Sequence, residues 1–136
     1  MIMYGVNHGR QNVKRGIMKP NFVFIHADQF RADCIGVERK RSVFTPNIDF
    51  LANSGTRFDS AYATTPVCIP QRITALTGKL ASNHGVLNNV GIPDFPMDGS
   101  LISKLNQNDY CTALVGRGFH TYPVQNNLGF EYWFLH

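Results

Sequence analysis

Apolar residues recur along this chain in short runs separated by polar, glycine and proline punctuation. Phe22-Val23-Phe24-Ile25-His26-Ala27 is the first such run, and it stops at Asp28-Gln29. A brief apolar stretch ended by polar residues predicts a buried parallel strand, and ligands of open α/β sheets gather beyond such carboxyl ends. Thr45 then stands as an N-cap and Pro46 as a first helical residue. Ile48, Leu51 and Ala52 share one face before Gly55 ends the helix. Residues 56–63 place Phe58, Ser60 and Tyr62 on one side, the pattern of a strand.

Thr65-Pro66 breaks that segment, Pro70 reads as a first helical residue, Ile73 and Leu76 anchor a short helix, and Gly78 stops it. Residues 81–96 are rich in Asn, Gly and Pro and predict a surface loop containing His84. Asp98 or Ser100 caps a helix bearing Leu101, Ile102 and Leu105, after which Cys111-Thr112-Ala113-Leu114-Val115 predicts another buried strand. Strands alternating with helices imply an α/β fold with a mostly parallel sheet flanked by helices.

Residues 1–17 lack hydrophobic periodicity and an apolar core of signal-peptide length. They read as a basic leader, with translation expected to start at Met18 and the domain to occupy residues 18–136. The net charge of +4 belongs mostly to that leader: Arg10, Lys14 and Arg15, with no Asp or Glu among them, carry +3 and leave +1 for the rest. That distribution excludes a nucleic-acid track, and Arg39-Lys40-Arg41 reads as a solvated loop. No run approaches a membrane span, and without an export signal the expected location is the cytoplasm. Cys34, Cys68 and Cys111 form no Cys-x-x-Cys pair, so Cys34 and Cys111 read as small apolar residues and a zinc site is unsupported. His26 and His84 read as structural.

The densest chemistry is Cys68-Ile69-Pro70-Gln71-Arg72, followed by Thr77-Gly78. It sets a thiol near the positive end of a short helix with a guanidinium one turn on, which favours an anion such as sulfate or phosphate. A thiol in that setting can also be a reactive cysteine. Asp28-Gln29 supplies a carboxylate and an amide carbonyl, hard oxygen donors suited to calcium, magnesium or manganese more than zinc.

The pentapeptide resembles the signature of the sulfatases, Cys-x-Pro-x-Arg, and the likeness extends from about Pro20 onward. It implies the alkaline-phosphatase-like fold and a sulfuric ester hydrolase, acting on a sulfate-ester small molecule or glycan. It further implies that a formylglycine-generating maturation enzyme oxidises Cys68 to formylglycine, and that calcium, with magnesium or manganese as alternatives, is bound by Asp28, Gln29 and the modified residue 68. Arg72 would stabilise charge around sulfur. Gly116-Arg117-Gly118-Phe119-His120 resembles the family's Gly-Lys-x-His, so Arg117 would bind sulfate and His120 assist the bridging oxygen. Two departures stand out: Gln71 where serine is common, and arginine with an extra residue before the histidine. Asp28-Gln29 resembles the variant of choline-sulfatase and phosphonate-monoester-hydrolase relatives, which keeps phosphate or phosphonate esters open as substrates. The family's later metal ligands have no counterpart in these residues, so the expectation is an N-terminal portion that is not catalytic alone and is prone to aggregate.

Overall fold

The computed structural model describes residues 2–7, 19–39, 42–90, 98–117 and 128–134. They fall into two compact units, Met1–His26 with Ala63–His136, and Ala27–Tyr62.

The first unit is built on a four-stranded sheet. Its strands are β1 (Ile2–Asn7), β2 (Phe22–Ile25), β3 (Tyr110–Val115) and β4 (Tyr132–Phe134), in the order β2-β1-β3-β4. Strand β1 is antiparallel to both neighbours, with Ile2 opposite Ile25 on one side and Val115 on the other. Strands β3 and β4 pair in parallel, Ala113 opposite Tyr132. It follows that β2, β3 and β4 run the same way with β1 opposed, and that β2 and β3 end level. The α/β class holds, with the parallel direction carried by three strands.

Two expectations change here. The leader, to which the sequence assigned no element, contributes the strand between β2 and β3. Strand β2 forms where expected but is not buried, its residues ranging from 42% exposed at Phe24 to 64% at Ile25. It is an outer strand with one described neighbour, so an apolar run written for two covered faces meets solvent.

Helix α2 (Cys68–Thr77) and helix α4 (Leu101–Gln107) cover the inner strands. Tyr110, Thr112 and Leu114 alternate inward along β3. Leu76, Ile102, Leu114 and Phe130 form one apolar cluster, and Ile69, Ile73 and Val86 form a second nearer the start of α2. Burying such side chains stabilises by about 1.5–3 kcal/mol each. Thr112 is fully enclosed, and its hydroxyl donates to Asn106 Oδ1 at 2.8 Å while Asn106 Nδ2 donates to the Gly129 carbonyl at 2.6 Å. That polar bridge ties α4 to β3 and to the segment entering β4.

Local punctuation explains the helix ends. Ser100 is the cap of α4, its hydroxyl accepting from Ser103 N–H at 3.1 Å. Gly78 closes α2 at φ 67°, a left-handed conformation in which glycine carries no Cβ penalty. Helix α2 begins at Cys68, so Pro70 is its third residue and not its first; a missing N–H is still harmless there, because the first-turn amides have no intrahelical partner. The expected surface loop after Gly78 contains a one-turn helix, α3 (Ala81–His84).

The second unit contains 3-10 turns at Ala32–Cys34 and Gly36–Glu38 and helix α1 (Pro46–Ser54). Thr45 stands at the N-cap position, but its hydroxyl accepts from Gly36 N–H at 2.7 Å and donates to Asp49 Oδ1 at 2.9 Å, while Asp49 Oδ1 also takes Val37 N–H at 2.9 Å. None of these elements has a buried residue. The strand expected over residues 56–63 is absent. Asp59 and Ser60 form a turn clamped by Arg57 Nε on Asp59 Oδ1 at 2.7 Å, which leaves Phe58 and Tyr62 exposed.

Candidate active site

Helix α2 brings the pentapeptide into one turn. Cys68 is its first residue, with Gln71 and Arg72 three and four positions later on the same face. Val67 precedes the helix in extended conformation and offers no side-chain cap. The Ile69 N–H is occupied by Asn89 Oδ1 at 3.0 Å, and Pro70 has none to give. Amides 69 and 70 therefore contribute nothing to the expected anion nest. Attraction for an anion rests instead on the helix dipole and on arginine.

Arg72 is 1% exposed, and its Nη1 donates to the Arg117 carbonyl at 2.7 Å. Strand β3 delivers Arg117: Val115 ends the strand, Gly116 turns the chain at φ 90°, and Gly116 N–H donates to the Phe134 carbonyl at 2.8 Å. The helix carrying Cys68 and the loop carrying Arg117 are thus bolted together by a buried guanidinium. Arg117 itself is exposed. Gln71 is half-buried, and its Oε1 is enclosed with no hydrogen-bond partner among the described residues. His120 lies outside the described residues.

Asp28 and Gln29 form an exposed turn in the other unit, with Gln29 in the left-handed region at φ 50°. Among the described residues no three His, Cys, Asp or Glu side chains are grouped to hold a metal ion. Two oxygens fall short of the six or more donors that calcium takes, so these residues do not by themselves make a metal site.

The remaining candidates are structural. His84 Nδ1 accepts from Val86 N–H at 3.2 Å, which leaves the ring proton on Nε2, 3.1 Å from Thr74 Oγ1. Cys34 and Cys111 are half-buried free thiols. Burial, followed by the charge of Glu131 and the hydrogen bond the thiol donates to its carboxylate, pushes the Cys111 thiol above its ordinary 9.0. A cavity of about 210 Å³ is lined by Gly5, Phe22, Phe24, Leu101 and Leu105 among other apolar residues, and none of the candidate site residues borders it. The sequence did not reveal the Asn89 contact: its partner is twenty positions away, and an asparagine in a polar loop has no local signature.

The sulfatase family profile matches residues 20–136, which leaves β1 outside the match. Over 119 residues the chain is 36% identical to an arylsulfatase of Clostridium perfringens, covering 88% of this chain and 24% of that protein. It is 36% identical over 124 residues to an ulvan-active sulfatase of Formosa agariphila, covering 85% and 24%. It is 31% identical over 121 residues to an N-acetylglucosamine-6-O-sulfatase of Bacteroides thetaiotaomicron, covering 88% and 21%. No solved structure matches. The chain belongs to the sulfatase family and spans about a quarter of the length of these curated relatives. The family implies a metal and a formylglycine in general.

Proposed function

We propose that this protein is a sulfuric ester hydrolase in which residue 68 reacts as formylglycine made from Cys68. The observation that carries the reading is the buried Arg72, which joins the helix starting at Cys68 to the carbonyl of Arg117. A cysteine needed only for packing gives no reason to enclose a guanidinium one turn away and spend it on a loop carbonyl. The arrangement holds a reacting position and a second, exposed arginine in fixed relation, as attack on the sulfur of an anionic ester requires.

One water adds to the aldehyde to give a gem-diol; one of its hydroxyls attacks sulfur as the protonated alcohol leaves, and the second then loses its proton and reforms the carbonyl, breaking the C–O bond to sulfate. Arg117 offers paired N–H donors to sulfate oxygens. Arg72 fixes that loop and adds positive charge at the helix start. His120 is assigned the proton for the bridging oxygen. Asp28 and Gln29 are assigned two oxygens of a divalent metal, calcium first, whose remaining donors lie elsewhere. The substrate is a sulfate-ester small molecule or glycan, in keeping with the aryl, ulvan and N-acetylglucosamine names of the relatives. The maturation enzyme that oxidises Cys68 is the implied partner. Asp28-Gln29 favours one second reading, a phosphate or phosphonate esterase on the same frame.

Co-expression with a formylglycine-generating enzyme tests the first step. The peptide containing position 68 should show sulfur exchanged for oxygen with loss of two hydrogens, and should capture a hydrazide. Turnover of an aryl sulfate but not an aryl phosphate or phosphonate supports the sulfate reading. Turnover of phosphorus esters alone replaces it, and an intact thiol in protein that hydrolyses sulfate removes the aldehyde.

A further inference from the structure

The loop over residues 85–90 has no part in the chemistry above, yet it supplies the amide cap of the helix that begins at Cys68. The amides at a helix start find no partner within the helix. In α2 the usual remedy is missing, because the Val67 side chain has no acceptor to offer and Pro70 carries no N–H. Ile69, fully buried, has its N–H satisfied only from outside, by Asn89 Oδ1 at 3.0 Å. The accepting atom must be the amide oxygen, since the NH2 group has no lone pair to offer.

Four further contacts hold the loop in place. Val86 packs with Ile69 and Ile73. Its N–H donates to His84 Nδ1 at 3.2 Å, and His84 Nε2 lies 3.1 Å from Thr74 Oγ1 on α2. Asn88 Oδ1 accepts from Val90 N–H at 2.9 Å, closing a tight turn around Asn89. The loop is thereby fastened to the middle of α2 through Thr74 and to its first turn through Asn89.

We propose that Asn89 is a positioning residue for position 68. By holding the amide next to Cys68 it keeps the first turn wound and sets the backbone that carries the reacting side chain. The proposal rests on the reading that position 68 reacts. Removing the oxygen leaves a buried N–H without a partner, and the least costly relief is to unwind the turn that contains Cys68.

Hydrogen exchange and cysteine alkylation on the full chain, with position 68 as thiol, test it. In Asn89→Ala the Ile69 amide should exchange about tenfold faster. Cys68 should react with iodoacetamide several-fold faster relative to Cys34 in the same sample. Asn89→Asp keeps an oxygen at the accepting position and should hold Ile69 exchange within about threefold of the unsubstituted chain. Unchanged Ile69 exchange in the alanine variant, loss of protection in the aspartate variant, or faster exchange without faster Cys68 alkylation overturns the proposal. So does an Ile69 amide already unprotected in the unsubstituted chain, which decides the matter if Asn89→Ala fails to fold. None of these readouts needs turnover. A protected Ile69 in a protein that hydrolyses no ester would remove the functional reading and leave the cap standing.

Discussion

Helices α1 and α2 are written with the same punctuation. Each has a proline in its first turn and a glycine directly after its last residue, and they run to nine and ten residues. Yet α2 buries Ile69, Pro70, Arg72, Ile73 and Leu76, and α1 buries nothing. Local signals choose the helix; what packs against it decides whether it is anchored. The pentapeptide rides on the anchored helix, and Asp28-Gln29 belongs to the unit whose helix is not.

The sharpest way to break that contrast is truncation in each helix. Leu76→Ala, in the cluster with Ile102, Leu114 and Phe130, should cost about 2–5 kcal/mol in urea unfolding. Leu51→Ala in α1 should stay within about 0.5 kcal/mol, because Leu51 is already exposed. Equal losses at the two sites would mean that α1 has a packing partner. Next in size is Arg72→Met, which leaves the Arg117 carbonyl without its donor and should lower stability by roughly 1–3 kcal/mol. Its distinguishing signature is faster proteolysis at Arg117 while the Leu76 cluster keeps its exchange protection.

Asp49→Ala measures what order the second unit has. It removes the acceptor of Val37 N–H and of the Thr45 hydroxyl, and Val37 exchange should accelerate by a free energy of about 1 kcal/mol. The smallest effect concerns pH. The Cys111 thiol is raised in the folded state, so the stability it contributes is fully present below the unfolded thiol's value and is lost as pH rises through the folded one. Cys111→Ser should flatten the alkaline end of a stability profile and leave the neutral region unchanged.

Legibility followed the range of the interactions. The Gly78 stop, a cap at Asp98 or Ser100 and the strand at β3 are set within a few residues and were readable, whereas the alternate burial along β3 comes from what packs against it. The Cys68, Arg72 and Arg117 set was readable as motif chemistry, but not the bolt between them, because a buried arginine bonded to a carbonyl 45 residues away leaves no local trace. Phe58, Ser60 and Tyr62 alternate as a strand does, and the Arg57–Asp59 pair turns the chain instead. Strand β1 was invisible for the opposite reason: Ile2 to Asn7 does not alternate, and its strand character comes from two neighbours that sandwich it.

That placement of β1 bears on the order of folding. Ile2 lies opposite Val115, so this strand pair must close a loop of more than a hundred residues, whereas α4 and β3 are neighbours in sequence. In refolding, the amides of β1 should therefore gain exchange protection after those of α4, and equal rates would mean that the long loop closes early.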